Sequence, residues 1–165
     1  MGESKQKITP SLMFVKEKFG KAEEAMNYYC PLFKNSNIDL IARYEEGEGD
    51  EVGKIKFASF ILEDQQFFAM ESSGPHNFTF TGAFSLCINC KDQAEIDHFW
   101  NSFADGGAPS QCGWINDKYG VTRQVNRDKL DDMLADKDSE KAKRAMAAML
   151  TMAKLDVAAL EKAYN

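Results

Sequence analysis

The stretch QCGWINDKYGVTRQV, residues 111–125, has the pattern of a β-hairpin. We predict its turn at residues 117–120, because an aspartate at the start of a turn can bond its own backbone and glycine adopts positive φ without strain. Trp114 and Ile115 on the first arm are residue types that suit a half-buried strand. The second arm carries Val121 and Val125, and between them a polar side chain, Gln124.

An earlier predicted hairpin repeats this spacing. Asp64 in its turn stands seven residues before Glu71, and Asp117 stands seven residues before Gln124. We interpret the two hairpins as the closing strands of two copies of one unit, with a pocket between them. Internal repetition of this kind determines the whole choice of architecture.

The opening of each copy matches as well. Residues 11–14 (SLMF) align with residues 85–88 (SLCI), and each strand is followed by a helix with apolar residues at i, i+3, i+4 and i+7. Each copy is therefore a predicted β-α-β-β-β module, in an α+β fold. Module 1 spans about residues 8–72, module 2 about residues 83–126, and a helical extension occupies residues 127–165.

Composition limits the classes of function. A chain of 165 residues with 44% hydrophobic residues can form a buried core without disulfides. The net charge of −6 argues against nucleic acid as a partner, because no basic stripe is present to neutralise phosphates. No apolar run approaches the ~20 residues of a membrane span, so no membrane contact is predicted. With no signal peptide in front of them, the four cysteines are expected to be reduced thiols of a cytoplasmic protein.

Several motifs resemble one known family. They are the helix KAEEAMNYY (21–29), the loop PHNFTF (75–80), the hairpin segments QCGW (111–114) and DKYGV (117–121), and the tail MAKLDVAAL (152–160). With the duplicated unit, they are similar to the PhnB-like branch of the vicinal-oxygen-chelate (glyoxalase/bleomycin-resistance) superfamily, often labelled 3-demethylubiquinone-9 3-methyltransferases. The resemblance implies two βαβββ modules that form an open, cup-shaped sheet with helices outside, and a homodimer.

The resemblance also implies where a metal would be held. In metal-dependent relatives the ligands lie on the first and last strands of each module, and these strands offer Ser11, Glu71, Ser85 and Gln124 here. Only Glu71 is ionised, whereas a divalent ion needs several carboxylates or imidazoles. We therefore predict no metal and no cofactor, with a divalent metal at Glu71 as the weaker alternative.

Two further motifs give little support to a zinc site or to a methyltransferase cofactor loop. Cys87 and Cys90 have the spacing of a zinc knuckle, but positions three apart in a strand point to opposite faces of the sheet. The glycine pairs of the chain do not lie between a strand and a helix start, as the cofactor loop of the common methyltransferase fold requires. We expect packing cysteines and find no support for the methyltransferase label.

Two residues of the last strand depart from the family pattern, Arg123 and Asn126, and Asn126 stands where proline is usual. Arg123 precedes Gln124 where the PhnB-like branch usually has tryptophan. This strand position should face the helix layer, so the arginine must extend its charge to solvent or meet a carboxylate. The sequence does not identify which carboxylate that would be.

The candidate site residues follow from these strands and loops. Glu71 is the predicted general base or hydrogen-bond acceptor in an apolar cup, and His76 is either a turn residue or a proton carrier above it. Apolar side chains with a few polar groups are typical of ligand sites. The predicted ligand-binding residues are Ser11, Met13, Phe78, Phe80, Ser85, Cys112, Trp114, Tyr119 and Gln124.

Three functions remain open at this point. The first is a small-molecule-binding protein without a metal. The second is an enzyme of the same fold, a lyase, a dioxygenase or a methyltransferase as the label has it, with Glu71 as base. The third is a dimerising interaction module that binds a partner through its Met-rich tail. Glu71 and Gln124 can equally be structural hydrogen-bonding residues.

Overall fold

The computed structural model describes residues 6–165 and divides into two compact units, one ending at Thr79 and one spanning Phe80–Asn165. Each unit contains one four-stranded sheet and follows the β-α-β-β-β order. Both sheets are open. The predicted α+β class and the duplicated module are therefore confirmed. Within residues 6–165, no helix combines the length and the apolar character needed to cross a bilayer.

Unit 1 contains sheet 1 and one helix. Its strands are ordered β1-β4-β3-β2, with β1 parallel to β4 and the other pairs antiparallel. The hairpin turn is only two residues long, and both, Glu63 and Asp64, have positive φ. The helix ends before a 3₁₀ turn that contains Pro31. The elements are β1 (Ser11–Val15), α1 (Ala22–Tyr29), β2 (Asn37–Arg43), β3 (Ile55–Leu62) and β4 (Gln65–Ser72).

The side chains of β1 and β4 alternate between two faces of sheet 1. Leu12 and Phe14 are buried on the face that α1 covers, together with every second residue of β4. The opposite face, which we call the far face of sheet 1, is less buried. Its residues on these two strands are Ser11, Met13, Val15, Gln66, Phe68, Met70 and Ser72, of which Val15 is fully buried.

Unit 2 contains sheet 2, with the strand order β5-β8-β7-β6. The predicted turn is confirmed: Asp117 Oδ1 accepts the backbone N–H groups of Tyr119 at 2.9 Å and Val121 at 3.0 Å, and Gly120 has a φ of +90°. Asp92 caps α2 by accepting the Glu95 N–H. The elements are β5 (Ser85–Cys90), α2 (Gln93–Ala104), β6 (Ala108–Pro109), β7 (Trp114–Asn116) and β8 (Thr122–Arg127).

Arg123 meets a carboxylate in the interior of unit 2. Its guanidinium lies 3.2 Å from Asp117 and 5.3 Å from the ring centroid of Phe103 on α2, and both charged side chains are almost fully buried. The arginine thus faces the helix side of β8. The alternate residues form what we call the far face of sheet 2: Ser85, Cys87, Trp114, Thr122 and Gln124.

The C-terminal residues form α3 (Leu130–Leu134), α4 (Ser139–Met149) and α5 (Val157–Tyr164), all within unit 2. The tail binds the start of β7, since the backbone N–H groups of Cys112 and Gly113 donate to Met152 and Ala153 at 2.7 and 2.8 Å. Leu155 is fully buried. The Met-rich tail is buried only in part, because Met146 on α4 remains 39% exposed and Leu150, directly after α4, 55% exposed.

Candidate functional site

Glu71 is a buried carboxylate on the helix side of sheet 1. Its Oε1 accepts the backbone N–H of Ala22 at the start of α1, at 2.7 Å, and its Oε2 accepts that of Ile55 at the start of β3, at 2.8 Å. The side chain is 2% exposed. Both oxygens therefore join three segments of unit 1, and the carboxylate points away from the far face.

The prediction that Glu71 and Gln124 occupy equivalent positions is wrong. Glu71 lies opposite Phe14 in the parallel pair β1–β4, whereas Gln124 lies opposite Cys87 in β5–β8. The residue that matches Gln124 in unit 1 is Met70, which lies opposite Met13. A shift of one residue moves a side chain to the other face of a sheet.

The far face of sheet 2 brings together three of the predicted ligand-binding residues. Gln124 Nε2 donates a hydrogen bond of 2.7 Å to the hydroxyl of Ser85 on the neighbouring strand. Trp114 lies directly opposite Gln124 on β7. Beside them, Thr122 donates a 2.7 Å hydrogen bond to the side-chain carbonyl of Asn116. The result is a row of polar groups next to one indole ring, in which Ser85 and Gln124 are half-buried, Thr122 is buried and Asn116 is exposed.

His76 lies against the end of β4 in unit 1. Its Nε2 is 2.9 Å from the hydroxyl of Ser72, and its ring lies 5.0 Å from that of Phe78. Phe78 is 48% exposed. Sequence reasoning missed Ser72 because it ended the strand at Glu71, one residue too early. The alternation of β4, extended by one residue, would have placed Ser72 on the far face.

The remaining predicted residues lie in different surroundings. Ser11 and Met13 are on the far face of sheet 1, and Phe80 is half-buried at the start of unit 2. Tyr119 is buried in the interior of unit 2. The thiol of Cys112 lies 3.6 Å from the Met149 carbonyl of the C-terminal tail, so it contacts the tail.

The donor set fits a divalent metal poorly. The far-face positions on the first and last strands carry serine, methionine, cysteine and glutamine, and the one ionised candidate, Glu71, has both oxygens bonded to backbone N–H groups. In the part of the chain that the structure describes, no three His, Cys, Asp or Glu side chains lie close enough together to hold a metal ion.

Comparison with known proteins identifies the family. Residues 6–126 match the family described as 3-demethylubiquinone-9 3-methyltransferase. The chain belongs to this PhnB-like family of the vicinal-oxygen-chelate superfamily. A PhnB protein from Bacillus cereus is 42% identical, with a TM-score of 0.68, over 74% of this chain and 99% of that one. A Pseudomonas aeruginosa protein shares the fold at 19% identity and a TM-score of 0.61, over 74% and 97% of the two chains. No curated protein matches the chain.

The family match ends at the last strand of the PhnB-like modules. Residues 127–165 lie beyond it, so the match gives no support to the resemblance predicted for residues 152–160. Nearly all of the Bacillus cereus protein is covered by the part of this chain that matches it. The residues that the family model matches therefore do not include the helical tail.

Proposed function

We propose that this PhnB-like protein binds a small organic molecule on the far face of sheet 2, without a metal. The observation that carries the proposal is the hydrogen-bonded pair Ser85 and Gln124 beside Trp114. Ligand sites typically combine an aromatic or apolar surface with a few polar groups that fix orientation. This face has both.

The chemistry of the pair indicates the kind of ligand. A glutamine side chain has two N–H donors and one carbonyl acceptor. One N–H of Gln124 is used by Ser85, and within residues 6–165 the structure gives the other N–H and the carbonyl oxygen no further partner. An oxygenated molecule with a flat ring would place its polar edge against Gln124 and its ring against Trp114.

The enzyme alternative gains no specific support. A general base must have an oxygen within reach of the proton that it removes. Both oxygens of Glu71 are bonded to backbone N–H groups on the helix side of sheet 1. The role of Glu71 as base therefore stays a prediction, and we assign this residue to the stability of unit 1.

Native mass spectrometry of protein purified from its own host tests the proposal. We expect the wild type to retain a small molecule of one defined mass, Gln124→Leu to lose it, and Gln111→Leu, a matched change at an exposed loop residue of unit 2, to keep it. Equal retention by both variants would remove Gln124 from the binding site. Stoichiometric zinc, manganese or iron in the wild type would contradict binding without a metal.

The homodimer is a separate proposal. It rests on the family resemblance, and the exposed Met146 on α4 and Leu150 directly after this helix are one candidate surface for the contact. Sedimentation of Met146→Glu/Leu150→Glu tests this surface, and we expect a shift from dimer to monomer. An unchanged dimer would exclude α4 as the contact. Deleting the tail is a poorer test, because it would expose the partners of the buried Leu155.

A further inference from the structure

The surface around Gln124 in unit 2 contains none of the charged residue types. Beyond Gln124 along β8, Asn126 lies opposite Asn89 on β5. In the other direction, Thr122 lies opposite Asn116 on β7. With these neighbours the surface consists of Ser85, Cys87, Asn89, Trp114, Asn116, Thr122, Gln124 and Asn126. None of them is aspartate, glutamate, lysine, arginine or histidine, although 28% of the chain is charged. The surface therefore has no ionic group to balance the charge of a ligand.

Its polar groups are mainly carboxamides. A carboxamide has N–H donors and a carbonyl acceptor side by side. The 2.7 Å hydrogen bond between Gln124 and Ser85 uses only one of these groups, so Gln124 keeps at least one donor and one acceptor whichever way its amide is turned. Trp114, directly opposite Gln124, supplies an aromatic surface beside them. The ligand that fits this arrangement best offers an acceptor and a donor next to a flat ring.

We propose that the ligand of this surface is an uncharged aromatic carboxamide, in which the amide is either a substituent of the flat ring or part of it. Its carbonyl accepts an N–H of Gln124, its own N–H donates to the Gln124 carbonyl, and its ring packs on Trp114. The inference rests on the proposed function and deepens it, because it names the class of molecule that the same site binds.

Charged molecules of the same shape fit Gln124 less well. A carboxylate has only acceptors, so one of its oxygens faces the Gln124 carbonyl. An amidinium has only donors, so one of its N–H groups faces the Gln124 N–H. Each also loses hydration without meeting an opposite charge. A polar group left without its partner lowers affinity by about tenfold, which is equivalent to about 1.4 kcal/mol.

Benzamide, benzoate and benzamidine are matched probes, since they share one ring and differ only in the polar group. Their binding to the full chain at pH 7 is followed by the indole ¹H–¹⁵N signal of Trp114. The chain has only two tryptophans, so Trp114→Phe assigns the signals, and Trp100 on α2 reports whether each variant is folded. We expect the Trp114 signal to shift with about tenfold higher affinity for benzamide than for either charged probe.

Gln124→Glu tests whether this residue makes the selection. A glutamate of nearly the same shape offers only acceptors and a negative charge, so benzamidine should bind this variant about tenfold more tightly than benzamide. Asn101→Asp adds the same charge at an exposed position of α2, on the other side of sheet 2. It is the control and should keep the order of affinities of the wild type.

Several results would overturn the inference. They are a charged probe that binds the wild type as tightly as benzamide, a wild-type order that persists in Gln124→Glu, a reversal that Asn101→Asp also shows, and no response of Trp114 to benzamide at its solubility limit. The proposed function fails separately, when Gln124→Leu keeps the molecule that the wild type retains in native mass spectrometry.

Discussion

The buried pair of Arg123 and Asp117 makes the sharpest prediction about stability. Removing one partner of a buried ion pair leaves an uncompensated charge in the interior and costs about 3–5 kcal/mol. Asp117→Asn keeps an oxygen for the N–H groups of Tyr119 and Val121, so this change isolates the charge from the turn. We expect Asp117→Asn to lower the free energy of unfolding by about 3–4 kcal/mol.

Arg123→Met should be less damaging than Asp117→Asn. The remaining aspartate would still accept two backbone hydrogen bonds, which stabilise its negative charge, whereas the arginine left by Asp117→Asn keeps its charge beside Phe103. The double variant should be more stable than Asp117→Asn alone, because replacing a whole buried pair by uncharged groups is often close to neutral. The double-mutant cycle should depart from additivity by at least about 2 kcal/mol.

Urea unfolding followed by tryptophan fluorescence measures these values. Both tryptophans, Trp100 and Trp114, lie in unit 2 and therefore report on the unit that contains the pair. With a slope of about 2 kcal/mol per molar urea, the Asp117→Asn midpoint should fall by about 1.5–2 M. Glu140→Gln, which breaks an exposed pair with Lys143 in the same unit, is the control and should change stability by less than about 0.5 kcal/mol. A loss below about 1 kcal/mol for Asp117→Asn, or an additive cycle, would refute the reasoning.

Three further changes follow from hydrogen bonds and burial. Glu71→Gln should lower the unfolding free energy of unit 1 by about 2–3 kcal/mol, because an amide can accept only one of the two backbone N–H groups without a clash. Circular dichroism in urea measures this loss. Unchanged stability would contradict a structural role for Glu71 and make it a functional candidate again. Asp156→Ala should lower stability by about 1 kcal/mol, since the cap to the Ala159 N–H is lost. Burial raises the pKa of the Cys90 thiol to about 12 from 9.0, so a thiol reagent at pH 8 should label the exposed Cys87 and spare Cys90. Because the unfolded chain ionises this thiol at lower pH than the folded one, stability should fall as pH rises from about 9 towards 12, and Cys90→Ala should show a shallower fall.

Local signals in the sequence were sufficient for the module and its caps. The aspartates before α2 and α5 cap these helices through backbone groups only a few residues away. The glycine of the 117–120 turn is just as local. The geometry of these residues can therefore be deduced from their sequence neighbours alone. The family resemblance singled out Ser85 and Gln124 as residues of the first and last strands of module 2, and the structure places both on one face of sheet 2. Arg123 was expected to need a carboxylate, but the partner lay six residues away across a turn and could not be chosen from the sequence.

The face on which Glu71 lies could not be deduced from the sequence. The spacings Asp64–Glu71 and Asp117–Gln124 are equal, but the turns that they cross differ in length. Asp64 is the second residue of a two-residue turn, so the count of seven reaches the seventh residue of β4. Asp117 is the first residue of a five-residue connection, so the same count reaches the third residue of β8. Measured against the opening strands, the two positions differ by one residue, which is sufficient to reverse the face.

Correcting that register changes how the two modules compare chemically. The central far-face pair is Met13 with Met70 in sheet 1, and Cys87 with Gln124 in sheet 2. Divalent metals that use oxygen and imidazole ligands need ionised or strongly basic donors, which neither pair supplies. Sheet 2 offers an amide hydrogen-bonded to a hydroxyl, and sheet 1 offers an apolar centre with the polar Ser72 at its end. Recognition by hydrogen bonds beside aromatic rings is the chemistry that both surfaces can perform, which is why we favour binding of a small organic molecule over metal-dependent catalysis.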